Sequence, residues 1–189
     1  MGEDDVAEMT TPAEEIDIKD VYKGPMINVV EESRKGLISN QRVSEMLEVL
    51  GKGGVVMVES AFPRFAMYDS GKLEFGLPKE PETEVGVIHE LVHAEQWLGV
   101  FREGITPEQF MQWLDGDDSG IAEVLAEISA YRVQLEQLFF RGIAEGEIVE
   151  ELRRRVGWGE EIVREAGYEV PEDIKNPYCD FMGIEHLNE

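Results

Sequence analysis

The stretch His89-Glu90-Leu91-Val92-His93 spells H-E-x-x-H, and it constrains this chain more than any other feature. Residues four apart on an α-helix stand one turn above each other, so a helix here puts both imidazoles on one face, within reach of a single metal ion. Glu90 follows the first histidine and leans into the same cleft without joining the ligands, which suits a carboxylate that takes a proton from an attacking water. The chain holds 3 histidines in 189 residues, and two of them fall in this register with Leu91-Val92 between them and Val87-Ile88 ahead. The pattern predicts zinc-assisted hydrolysis with Glu90 as general base. The same residues would also suit a buried helix with hydrogen-bonded histidines, or a structural zinc site. Thr83 reads as the N-cap of this helix and Gly99, after Leu98, as its C-terminal stop.

A catalytic zinc keeps three protein ligands and one open position, so a third ligand is required. Downstream, Ile121 to Tyr131 is rich in helix formers, with Ser119 or Asp118 available as a cap, and Glu123, Glu127 and Tyr131 share one face. Three blocks, Ala66 to Leu77, His89 to Gln96 (HELVHAEQ) and Glu127-Ile128-Ser129-Ala130-Tyr131, together resemble the gluzincin branch of the zincin metallopeptidases. Within it they are most similar to the minigluzincin-like and the phage- or toxin-associated members. The resemblance spans residues 53–140. It implies a zincin-like α+β fold, with a small sheet beside the HExxH helix and a second helix carrying a glutamate ligand. Carried over residue by residue, His89, His93 and Glu127 bind Zn2+, Glu90 activates the water, and the Ala66–Leu77 hairpin forms the upper rim of the cleft.

Glu123, one turn before Glu127, and His186 remain competing third ligands. Tyr131 reads either as a core residue or as a hydrogen-bond partner of a ligand or a developing oxyanion. Glu95 departs from the family pattern, which has a hydrophobic residue two positions after the second histidine; it either faces solvent or contacts the site. Nothing downstream extends the motif to H-E-x-x-H-x-x-G-x-x-H, which argues against a metzincin.

At 189 residues the chain suits one well-packed domain, and no run approaches the roughly 18 apolar residues of a membrane span. The first residues, MGEDDVAEMTTPAEE, lack the basic and apolar regions of a secretory signal, and the single cysteine, Cys179, cannot form an internal disulfide. Both predict a cytoplasmic protein. Acids outnumber bases 41 to 17, a net charge of −24. That field disfavours nucleic acid and favours a peptide or protein substrate, basic if anything. It also admits an alternative function: a catalytically silent, acidic zincin-like binding module or DNA mimic that sequesters a basic partner.

Residues 1–25 read as an acidic, disordered leader and residues 26–189 as a single zincin-like metallopeptidase domain. Val29 to Leu50 predicts two helical stretches broken around Gly36, and Val55 to Val58 a short strand after Gly53-Gly54. Asp69-Ser70-Gly71 reads as the turn of a hairpin. A strand beside the HExxH helix is the kind of edge to which an extended peptide can add. Thr106-Pro107 starts a short helix to Trp113. Asp115-Gly116-Asp117-Asp118 closes it without the spacing of a calcium loop. Further helices are predicted from Ile121 to Phe140 and from Glu147 to Ala166, the latter with Arg153-Arg154-Arg155 paired to nearby carboxylates. Residues 171–189 carry Cys179 and His186, either of which could occupy a fourth zinc position as an autoinhibitory ligand; the alternative for Cys179 is a buried structural role.

Overall fold

The structure, a computed structural model, describes Tyr22 and residues 24–68, 72–78, 84–116 and 119–184. In chain order these form α1 (Val29–Lys35), α2 (Asn40–Lys52), β1 (Val56–Glu59), β2 (Arg64–Met67), β3 (Leu73–Leu77), α3 (Glu84–Arg102), α4 (Pro107–Leu114), α5 (Ser119–Phe140), α6 (Glu147–Glu165) and α7 (Pro177–Phe181). The architecture is mixed α+β and mostly helical, with one small sheet among the described residues. Thr83, Asp118, the turn residues Asp69-Ser70-Gly71, and nearly all of the acidic leader lie outside that range.

Two helices make the centre because each is apolar on more than one side. On α3, Ile88, Leu91, Val92, Ala94, Leu98 and Val100 are fully buried, which leaves no polar stripe wide enough to face water. Helix α5 divides its apolar surface in two. Ala122, Ala126 and Ala130, one turn apart, join the main core with α3, while Leu125 and Ile128 form a second cluster with Val163 of α6. Methyl side chains at four-residue spacing let α3 and α5 approach closely, and α6 then covers the outer face of α5.

The sheet has the order β1-β3-β2, with β1 parallel to β3 and β2 antiparallel to it, so β2 is an edge. Phe65 lies opposite Phe75 across β2 and β3, and Phe75 is fully buried. Glu74, nearly buried on β3, receives the Arg64 guanidinium at 2.6 Å and the Tyr68 hydroxyl at 2.9 Å, so its charge is matched.

Helix α4 begins with a complete capping box, Thr106 with Gln109, and Pro107 at its first turn. Its Phe110 sits edge-on to Trp97, Phe101 and Tyr178 with ring centroids 5.2–5.6 Å apart, which ties α4 to both α3 and α7.

Three expectations are corrected by this packing. Gly99 does not stop the metal-motif helix, which continues to Arg102. A Cβ there would come within 2.6 Å of Asn176 Nδ2, and Asn176 donates that N–H to the carbonyl of Gln96 at 2.7 Å. The glycine therefore admits α7 rather than ending α3. The folded domain also begins before residue 26, since Tyr22 is buried in the main core and its hydroxyl donates to the Pro25 carbonyl at 2.9 Å. Ser119 is the first residue of α5, not a cap before it, and its hydroxyl donates to the Leu114 carbonyl at 2.7 Å, clasping the end of α4.

Glu95, the residue that breaks the family pattern, neither faces open solvent nor reaches the histidines. Its carboxylate accepts the N–H groups of Val29 and Val30, 3.2 Å for the latter, and so supplies the cap that Asn28 does not give α1. Burial pushes its carboxyl up to about 7 against the pull of those two donors.

Gly99→Ala should cost about 1–3 kcal/mol in urea unfolding although alanine is the better helix former, because the methyl displaces Asn176. Glu95→Gln should be close to neutral and Glu95→Ala should lose about 1–2 kcal/mol, since only alanine leaves the first N–H groups of α1 without an acceptor.

Candidate metal centre

His89 and His93 project from one face of α3, and Glu127 projects from α5 at the line where its alanine face meets the face turned to α6. The two Nε2 atoms lie 3.0 Å apart. Glu127 Oε2 is 3.4 Å from His89 Nε2, and Oε1 is 3.2 Å from His93 Nε2. Atoms bound about 2.0–2.1 Å from a tetrahedral zinc stand about 3.3 Å from one another, and the three separations, two of them made by different oxygens of Glu127, lie near that value. Among the described residues this is the group of His, Cys, Asp and Glu side chains that can hold a metal ion.

Two glutamines set the imidazole tautomers. Gln134 on α5 gives its amide N–H to the Val85 carbonyl at 3.2 Å, which leaves Oε1 to accept from His89 Nδ1 at 3.1 Å. Gln96, fully buried one turn after His93, places its Oε1 3.3 Å from His93 Nδ1. With the protons on Nδ1, both Nε2 lone pairs face each other and a carboxylate. Three lone pairs converging at this range repel unless a cation lies between them, so the arrangement is complementary to a positive charge.

Electrostatics follows the same geometry. A proton on the imidazole Nε2 atoms is the alternative to a metal cation there: burial alone would raise Glu127, but hydrogen bonds and charge from protonated His89 and His93 would hold it far below the usual carboxylate range. Burial would lower His93, yet Glu127 and Glu90 together bring it above the ordinary imidazole value. The side chains of His89 and His93 are 11% and 13% exposed, against 48% for Glu127, so the centre opens toward solvent on the Glu127 side.

Glu90 is half-buried, and its Oε2 accepts the Phe65 N–H of edge strand β2 at 2.7 Å. That bond fixes the carboxylate between α3 and the sheet. Burial raises the Glu90 carboxyl above its ordinary value, with the Phe65 N–H and the two imidazoles pulling the other way. Because outward-pointing backbone groups recur every second residue, the Phe65 contact turns the Phe65 carbonyl and the Met67 backbone groups to the same edge of β2, with the Phe65 N–H held by Glu90.

Of the competing third ligands, Glu123 is not among the converging groups, and its carboxyl is raised by burial and by the Glu127 charge. His186 lies outside the described residues. Cys179 is 1% exposed in the main core, with its thiol pushed up to about 12 by burial, and it is not among the converging groups either. Its role is structural, as the alternative reading held, and not that of an inhibitory ligand.

Tyr131 is partly buried and packs against the cluster of Leu138, Val149 and Leu152, while its polar end turns to the site. Its ring lies 4.8 Å from that of His89, and its hydroxyl accepts from Arg155 Nη1 at 2.8 Å. Two of the three arginines pair with a carboxylate as expected, Arg154 and Arg155 both on Glu151, while Arg153 donates to the Ala144 carbonyl. Gln96 and Gln134 were not singled out from the sequence. The available signal was their position, polar residues within otherwise apolar helix faces, three residues from His93 and seven from Glu127.

Comparison with protein-family models, curated proteins and solved structures gave no match to this chain.

Gln134→Leu should weaken zinc binding about 10- to 100-fold without unfolding the protein, read by competition with a chromophoric chelator, because His89 loses the partner that holds its tautomer. Unchanged affinity would remove Gln134 from the centre. Glu127→Ala should lose more than Gln134→Leu, and Glu123→Ala should lose nothing.

Proposed function

We propose that this chain is a zinc-dependent metallopeptidase of gluzincin type, with His89, His93 and Glu127 as ligands and Glu90 as general base. The observation that supports this reading best is the convergence of two imidazoles and the Glu127 carboxylate, one ligand atom of each within 4.8 Å of the others, beside a carboxylate already fixed by a backbone N–H of an edge strand. A zinc ion bound there would supply Lewis acidity toward a peptide carbonyl and lower the pKa of a water.

The remaining work falls to residues of the chain. An extended peptide adds to the edge of β2 through Met67 and the Phe65 carbonyl, the Phe65 N–H being held by Glu90, and its scissile bond is carried toward the histidines. Glu90 takes the proton of the attacking water and passes it to the leaving amine. Its hydrogen bond to Phe65 restricts its rotamers, so the base is oriented before substrate arrives. Tyr131, one turn after Glu127 and held by Arg155, hydrogen-bonds the Glu127 carboxylate and so orients it. The acidic surface favours basic proteins as the macromolecular substrate. No helix among the described residues is long and apolar enough to cross a membrane.

The deciding experiment pairs elemental mass spectrometry with turnover of a fluorogenic peptide library. Wild type should carry one zinc per chain. Glu90→Gln should keep the zinc and lose about 10²–10⁴ in kcat, the usual worth of a general base. Turnover retained by Glu90→Gln would remove the mechanism. Wild type that takes up no zinc on reloading would shift the reading to the acidic binding module, whose mark is salt-sensitive binding to a basic protein that survives Glu90→Ala.

A further inference from the structure

The three converging side chains do not share one kind of support. His89 and His93 are nearly buried, and each meets a glutamine at Nδ1, Gln134 at 3.1 Å and Gln96 at 3.3 Å. Glu127 is half-exposed on the open side of the centre, and its support is Tyr131, whose hydroxyl hydrogen-bonds the carboxylate. A half-exposed carboxylate on a long side chain has more rotamers to lose than a buried ring, so its orientation depends on how firmly that hydroxyl is placed.

The placing comes from α6, a helix that contributes no ligand. Arg155 Nη1 donates to the Tyr131 hydroxyl at 2.8 Å, and the guanidinium lies over the Tyr131 ring, 5.5 Å from its centre. A phenol has one proton and two lone pairs, so a donor held on one lone pair leaves the proton for Glu127. Arg155 is itself anchored, because its Nε donates to Glu151 Oε1 at 2.8 Å. It thus uses two nitrogens of its planar fork at once, which the single ammonium of a lysine cannot reproduce. Gly159, one turn later, lets α6 come near enough for this reach, since a Cβ there would meet Ile128 Cγ1 of α5 at 2.9 Å.

Two neighbours sharpen the assignment. Arg154 pairs with the other oxygen of Glu151 and makes no hydrogen bond to Tyr131 among the described residues. Glu123 lines the same groove between α5 and α6 and makes no ion pair among the described residues. The groove therefore offers Arg155 a second acid, yet the fold gives it Glu151 and the Tyr131 hydroxyl.

Resting on the metal reading above, we propose that Arg155 is a positioning residue of the centre: from α6 it fixes the Tyr131 hydroxyl, and through that hydroxyl it sets the Glu127 carboxylate in the orientation a metal ion takes. Arg155 touches neither the metal nor the reacting atoms. Its loss leaves all three ligands in the chain and loosens one of them.

The test is a double-mutant cycle on the zinc affinity of the full-length protein, read by competition with a chromophoric chelator. The visible spectrum of the cobalt-loaded form gives a second reading, of ligand geometry. Arg155→Met should weaken zinc binding about 10-fold, the low end for a residue behind a metal ligand. Arg155→Lys should lose as much, because one ammonium cannot hold both partners. In a Tyr131→Phe background the further loss from Arg155→Met should be less than about 2-fold, its route to Glu127 being already cut. Arg154→Met removes a charge from the same carboxylate and should change neither affinity nor spectrum, whereas Arg155→Met should move the cobalt spectrum toward that of Tyr131→Phe. Wild-type affinity in both Arg155 variants, an equal loss in Arg154→Met, or the same loss from Arg155→Met with and without the Tyr131 hydroxyl would overturn the role of Arg155 and leave the metal centre intact. Wild-type protein that takes up neither metal would remove the metal reading, and the positioning role with it.

Discussion

The close approach of α3 and α5 is the contact on which the rest of the molecule depends. Neither helix alone holds a complete site: α3 contributes two imidazoles and α5 one carboxylate, and they meet because the α5 surface facing the main core is built from Ala122, Ala126 and Ala130. Larger side chains along that stripe would widen the spacing of the helix axes by ångströms, more than a coordination tetrahedron can absorb. The same helix then needs a second partner, because Leu125 and Ile128 point away from α3, and α6 supplies it. Core packing and ligand geometry are thus set by one choice of small residues along one face.

What the sequence made legible was the part governed by local period. The HExxH spacing placed two histidines on one helix face, the Thr106-Pro107 start marked α4, and the Gly53-Gly54 break preceded β1 as expected. What it did not make legible depends on contacts between residues far apart in the chain. Gly99 carries the local signature of a helix end, yet its lack of a side chain serves Asn176, 77 positions later. Glu95 breaks the apolar pattern of its helix because it caps α1, 65 and 66 residues upstream. Cys179 could be drawn as a ligand on paper, and only the docking of α7 shows that it faces the core.

The charge of the chain is likewise distributed by local rules. Several of its 17 basic residues are taken up by acids one turn away on the same helix, as in Lys35 with Glu31, Lys52 with Glu48 and Arg164 with Glu160. Such exposed pairs add little stability. Their effect is to leave the excess acid as a diffuse outer field, while charges near the metal centre are matched at short range, Glu127 by imidazoles and Glu151 by two arginines.

Asn176 holds the Gln96 carbonyl, and the Gln96 side chain faces His93. This chain of contacts runs opposite to the order in which the polypeptide is made. A ribosome that has delivered both histidines and Glu127 has still to deliver the residue that braces the turn after His93. Domains fold progressively during synthesis, so in a nascent chain the two imidazoles are present, and able to meet metal, before their surroundings are secured. The surroundings of the two imidazoles are therefore completed by α7, a segment made after both of them.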